Sequence, residues 1–266
     1  MEDNELYEVV IDFINEGELD GIKDAIDEYP DEILGKYADC VTKMLGMGGL
    51  GFALLCKDKK NIVKLTVDKT EYNFAINAHR FKNYSSVFVN VHYVSKLADN
   101  KMNQTLSLIH KEYAVALNKA EANYFNIFKE LNHIGNEMHD KLDYHFGVIV
   151  RKNYPGLGVM DFYHMINAEK EKIDYRVVFE MLANGKYPTN EVDKIIYNSM
   201  RDYIDWFSDY RLSKIRNEKV LRFSEGIHKL AKEDGIFFYD FKAENIGKRN
   251  DEDGEYCIFD FGHIIF

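Results

Sequence analysis

Asp240-Phe241-Lys242-Ala243-Glu244-Asn245 and, fifteen residues after Asn245, Asp260-Phe261-Gly262 decide how this chain is read. The first has the form D-x-K-x-x-N and the second is D-F-G. Either alone arises often by chance. The two in this order, separated by a stretch that reads as a β-hairpin and preceded by a long helix, form a specific pair. Upstream, Gly46-Met47-Gly48-Gly49-Leu50-Gly51 has G-x-G-x-x-G order, and Lys64 sits inside the apolar run Ile62-Val63-Lys64-Leu65. Strands are expected on both sides of the glycine run. A dinucleotide-binding loop would instead lead into a helix.

In order and rough spacing these motifs resemble those of the protein-kinase-like superfamily. The resemblance implies an α+β, two-lobed protein-kinase-like fold, with a β-rich N-lobe, a mainly helical C-lobe and here an N-terminal helical extension. It implies ATP and Mg²⁺ as cofactors and transfer of the γ-phosphate to a hydroxyl. Gly46, Gly48, Gly49 and Gly51 would let the backbone approach the phosphates and turn its N–H groups toward them. Lys64 would hold the α- and β-phosphates, paired with Glu71, the one Glu in the helix-forming stretch that follows. Glu112 would mark the hinge between lobes. Asp240 would orient the acceptor hydroxyl or accept its proton, and Lys242 would steady the γ-phosphate. Asn245 and Asp260 would bind Mg²⁺ through hard oxygen ligands.

A lysine at position 242 is characteristic of serine/threonine kinases, so a protein hydroxyl is the expected acceptor. The alternatives are a small-molecule kinase of the aminoglycoside phosphotransferase type and a pseudokinase-like module that binds nucleotide or a partner without turnover. Some features depart from the family. Phe238-Tyr239 replaces the usual His-Arg before the catalytic Asp. The sequence ends at Phe266, four residues after Gly262, without an activation segment. About 128 residues lie between Glu112 and Asp240, more than a standard kinase uses, so helices inserted there are expected to build the C-lobe. A chain cut short is the other explanation. Glu71 also follows Lys64 by only seven residues, closer than in typical eukaryotic kinases.

Hydrophobic periodicity gives the organisation. Residues 4–28 read as two short amphipathic helices, with a third over 31–38. Val41–Leu45, Phe52–Lys57 and Asn61–Val67 read as strands, 70–82 as a helix, and Val87–Leu97 and Leu106–Tyr113 as a strand pair. Segments 114–142, 158–183 and 190–234 read as helical. Ile236–Tyr239, Asn245–Lys248 and Tyr256–Phe259 return to strand. The expected domains are an acidic helical extension over 1–40, an N-lobe over 41–113 and a C-lobe over 114–266.

The net charge of −11 is concentrated in residues 1–32, which hold thirteen Asp and Glu against the single Lys23. With the rest near neutral, binding to nucleic acid through a broad basic surface is disfavoured. No run of apolar residues is long enough for a membrane span. The three cysteines are far apart, which fits a reducing, cytoplasmic setting and argues against a zinc site or disulfide framework. His133, His139 and His145 recur every six residues and so do not share a helix face.

Overall fold

Alternation along one strand divides the first part of the molecule into two chemistries. In the computed structural model, Val63 and Leu65 of β3 (Asn61–Thr66) are buried on one face of a sheet, and Ile62, Lys64 and Thr66 take the other. The sheet has five antiparallel strands in the order β1 (Val41–Gly48), β2 (Gly51–Cys56), β3, β5 (Thr105–Glu112), β4 (Val91–Asp99). The structure describes residues 8, 10–12, 24, 26, 28, 30–48, 50–99, 105–251, 254–262 and 264–266.

One face of the sheet carries an apolar core. Phe52, Leu54, Val63, Leu65, Leu106 and Leu108 pack there with Ile33 and Leu34 of α1 (Pro30–Leu34) and with Val10. The expected helical extension over 4–28 lies largely outside the described residues. On the other face, β3 and β5 pair Lys64 with Ile109 and Ile62 with Lys111, so two lysines occupy diagonal positions. Helix α2 (Lys69–Asn77) follows β3. Asp68 caps it, its Oδ1 accepting from Thr70 N at 2.8 Å and Glu71 N at 3.3 Å.

Two expected boundaries moved because distant chain claimed the backbone. The strand read from Val87 starts at Val91. Residues before it bridge to a later segment, with Val89 N donating to Ile258 O at 3.0 Å and Ile258 N to Val87 O at 2.8 Å. The helix read from 114 starts only at Lys119. Ala114–Ala116 form β6, which pairs with β8 (Ile246–Arg249), itself paired with β9 (Tyr256–Ile258).

The chain divides into two compact units. One comprises Met1–Asn118 with Ala243–Gly262, the other Lys119–Lys242 with His263–Phe266. The domain expected over 114–266 therefore gives up 114–118 and 243–262 to the sheet unit, as the pairing of β6 with β8 requires. The second unit is mostly helical: α3 (Lys119–Tyr124), α4 (Lys129–Asn153), α5 (Val159–Lys170), α6 (Tyr175–Ala183), α7 (Glu191–Trp206), α8 (Asp209–Leu212) and α9 (Glu218–Lys229). Helix α4 buries Leu131, Gly135, Met138, Leu142, Phe146 and Val150 at three- and four-residue steps. A short antiparallel pair joins β7 (Phe237–Phe238) to β10 (Ile264–Ile265). No helix among the described residues is long and apolar enough to cross a membrane.

Candidate functional site

In the sheet unit, four charged side chains form one network. Lys64 Nζ lies 2.7 Å from Glu71 Oε2 and 3.3 Å from Asp260 Oδ1. Lys111 Nζ lies 3.1 Å from Glu71 Oε1, so the glutamate gives one oxygen to each lysine. Lys111 also donates to Phe259 O at 2.7 Å and stands 4.2 Å from the centroid of the Phe261 ring. Glu71 and Lys111 are each 1% exposed, whereas the Asp260 side chain is 40% exposed. The network is closed at the back and open at Asp260.

Local structure explains the placement. Strand alternation puts Lys64 and Lys111 on one sheet face. The Asp68 cap starts α2 so that Glu71 falls in its first turn, where the helix dipole favours a carboxylate. Hairpin β8–β9 returns the chain so that Asn245 and Asp260 stand at its open end, with Phe259 N donating to Asn245 O at 3.0 Å. Phe261 is fully buried against Phe74 of α2 and Phe88, at centroid distances of 5.3 and 5.8 Å. Gly262 N donates to Asp260 Oδ1 at 3.3 Å.

The electrostatics follow from burial and pairing. At Lys64 burial opposes the charge, but Glu71 and Asp260 outweigh it and raise the pKa. Burial likewise opposes ionisation of Glu71, and Lys111 and Lys64 reverse it, holding the carboxyl below the usual glutamate range. Asp260 is lowered in the same way, against burial, by Lys64 and then Lys111. At Lys111 burial wins over the attraction of Glu71 and lowers the pKa. Burial raises that of Asp68.

In the glycine run, Gly48 at the end of β1 pairs with Gly51 at the start of β2. A Cβ on Gly51 would sit 2.1 Å from Leu65 O, so close strand approach alone demands glycine there. Gly46 has nothing within 4 Å of such a Cβ, and Gly49 lies outside the described residues. The carboxylate of Glu112 is engaged within the sheet unit. It pairs with Arg249 and accepts from Asn90 N and Nδ2, both at 3.1 Å.

Asp240 and Lys242 belong to the helical unit. Lys242 Nζ lies 2.9 Å from Asp240 Oδ1. The segment is fixed from several sides. Asn132 Oδ1 accepts from Phe241 N at 2.8 Å, and Tyr203 Oη donates to Phe238 O at 2.9 Å. Phe241 stacks on Phe128 at 4.8 Å. Tyr239 packs so closely on α4 that a Cβ on Gly135 would fall 2.5 Å from its ring. Phe238 and Tyr239 are thus buried anchors. The side chain of Asp240 keeps 15% of its surface exposed.

Sequence reading brought Lys64, Glu71 and Asp260 to one place and missed Lys111. The signal was a lysine amid Leu108, Ile109 and Tyr113, whose charge needs a buried partner. Among the described residues no three His, Cys, Asp or Glu side chains cluster as metal ligands. Asn245 and Asp260 supply one amide and one carboxylate oxygen donor. That suits Mg²⁺, which takes one or two carboxylates and fills its shell with water and phosphate oxygens. Compared with known proteins, the chain matches no family model and no curated protein.

Proposed function

We propose that the chain is an ATP-dependent phosphotransferase with a two-lobed, protein-kinase-like arrangement, acting on a protein serine or threonine hydroxyl. One observation carries this reading. Lys64, Glu71 and Asp260, assigned from three separate stretches of sequence, meet in one ion-pair network although Lys64 and Asp260 are 196 positions apart.

The chain's own residues take the following parts. Lys64, kept cationic by Glu71 and Asp260, offers its ammonium to the α- and β-phosphates. Asp240, on a segment locked by Asn132 and Tyr203, orients the acceptor hydroxyl and takes its proton as the new oxygen–phosphorus bond forms and the bond to ADP breaks. Lys242, 61% exposed on a flexible stem, exchanges Asp240 for γ-phosphate oxygens. Asn245 and Asp260 would hold Mg²⁺, which supplies charge neutralisation at the phosphates. Glu112 would mark the hinge, its carboxylate engaged by Arg249 and Asn90.

The test uses γ-labelled ATP with Mg²⁺, with and without cell lysate, beside Asp240→Asn and Asp260→Ala. Label on protein in the wild type only, with Mg-ATP still raising the melting temperature of Asp240→Asn, is expected. Asp260→Ala is expected to lose the Mg²⁺-dependent part of that shift. Label only on soluble metabolites would move the acceptor to a small molecule. A melting shift without transfer would make the protein a nucleotide-binding module. No shift at all would defeat the reading.

A further inference from the structure

Glu71 holds one more cation than its charge requires. Lys64 Nζ at 2.7 Å already neutralises it, yet a second lysine, Lys111, stands 3.1 Å from its other oxygen and is only 1% exposed. Taking an ammonium that far out of water is costly, and burial lowers the Lys111 pKa. A methionine would fill similar space without that cost.

The other contacts of Lys111 lie on either side of one residue. Its ammonium donates to Phe259 O at 2.7 Å and stands 4.2 Å from the Phe261 ring centroid, so it grips the positions before and after Asp260. Those positions need the grip. Strand β9 ends at Ile258, paired with Ile246, and Asp260 lies beyond that last ladder position. The Asp260 side chain is 40% exposed, so burial alone does not fix it. Phe259 N is held by Asn245 O at 3.0 Å, and Lys111 holds the carbonyl of the same residue, which sets the peptide plane leading into Asp260.

We propose that Lys111 is a positioning residue for Asp260: from β5 it fixes the Phe259 carbonyl and the Phe261 ring, and so aims the Asp260 carboxylate at the metal. The assignment rests on Asp260 as a Mg²⁺ ligand of the proposed phosphotransferase. The two lysines then divide the work. Both hold Glu71, but Lys64, 16% exposed, can exchange Asp260 for phosphate oxygens, whereas Lys111 is closed off from ligand. Replacing Lys111 therefore spares the direct contacts to nucleotide and weakens the part played by the metal.

The experiment measures the ATP affinity of the full chain by isothermal titration, with and without Mg²⁺, for wild type, Lys111→Met and Leu54→Ala. Leu54 belongs to the apolar core on the other face of the sheet, so its truncation controls for lost stability alone. The gain in affinity that Mg²⁺ gives wild type should fall about tenfold in Lys111→Met, with metal-free affinity within about threefold. Leu54→Ala should keep the wild-type gain. Hydrogen exchange without nucleotide reads the positioning directly. Relative to peptides of β2, the peptide over 259–262 should exchange about tenfold faster in Lys111→Met than in wild type. A Mg²⁺ gain that survives Lys111→Met, or that falls equally in Leu54→Ala, overturns the proposal. So does unchanged relative exchange at 259–262, whether or not ATP binds. Wild type that binds no ATP instead defeats the phosphotransferase reading, and with it the metal role of Asp260.

Discussion

Replacing Glu71 by leucine should be among the most damaging single changes in the sheet unit, and a second substitution should repair much of it. Glu71→Leu leaves Lys111, 1% exposed, with Phe259 O, the Phe261 ring and the more distant charge of Asp260. Breaking a buried ion pair from one side costs about 3–5 kcal/mol, because the remaining charge stays desolvated. Lys111→Met should cost about 1–3 kcal/mol, since Glu71 loses one of its two lysines but keeps Lys64 at 2.7 Å, and the bond to Phe259 O goes with it. With both changes the orphaned lysine is gone, and the double variant should be more stable than Glu71→Leu alone by about 1–3 kcal/mol. Hydrogen exchange of peptides covering β3 and β5 reads the sheet unit by itself, so cooperativity with the helical unit need not be assumed. Glu71→Leu should speed exchange there by about 10²- to 10³-fold, and adding Lys111→Met should recover about tenfold or more. Simple additivity of the two losses would refute the idea that the orphaned charge is what costs. The acid dependence offers a second check. The carboxyls of Glu71 and Asp260 are lowered on folding, so their stabilisation is present above the usual carboxylate range and disappears as pH falls through the lowered values. Glu71→Gln should therefore flatten the acid arm of the stability profile.

Two further outcomes separate architecture from chemistry. Gly51→Ala should destabilise the sheet unit by about 1–3 kcal/mol, because its Cβ meets Leu65 O. Gly46→Ala, with open space around it, should stay within about 0.5 kcal/mol of wild type; a loss of Mg-ATP affinity without a loss of stability would mark Gly46 as a nucleotide contact. Ser107 is fully buried on β5, and its Oγ finds no hydrogen-bond partner among the described residues. Ser107→Ala should raise stability by up to about 1 kcal/mol in chemical denaturation, and a loss would mean that the hydroxyl has a partner.

What the sequence disclosed was mostly local. The β2 and β3 strands and the segment containing α2 follow from alternation and apolar spacing, and their ends were found within a residue or two except at the C-terminal end of α2. Residues 78–80 extend it as a 3₁₀ turn where a longer helix was read. The strand start at Val91 and the identity of β6 were hidden, because both are fixed by pairing with residues more than a hundred positions away. The charged network shows the same division. Motif spacing proposed Lys64 with Glu71 and Asp260, whereas Lys111 joins only because β5 lies beside β3 in a register that spacing does not reveal.

The discontinuity of the sheet unit has a consequence for its birth. Residues 1–118 leave the ribosome without hairpin β8–β9, and roughly 120 residues of helical unit follow, about 6–25 s of synthesis at ordinary rates. During that interval β6 has no partner, the Glu112 carboxylate lacks Arg249, and Lys111 lacks the Phe259 carbonyl that it will later hold. Until then the sheet unit keeps an open edge at β6, and arrival of the Asp260 segment supplies both the strand partner and the last members of the charged network.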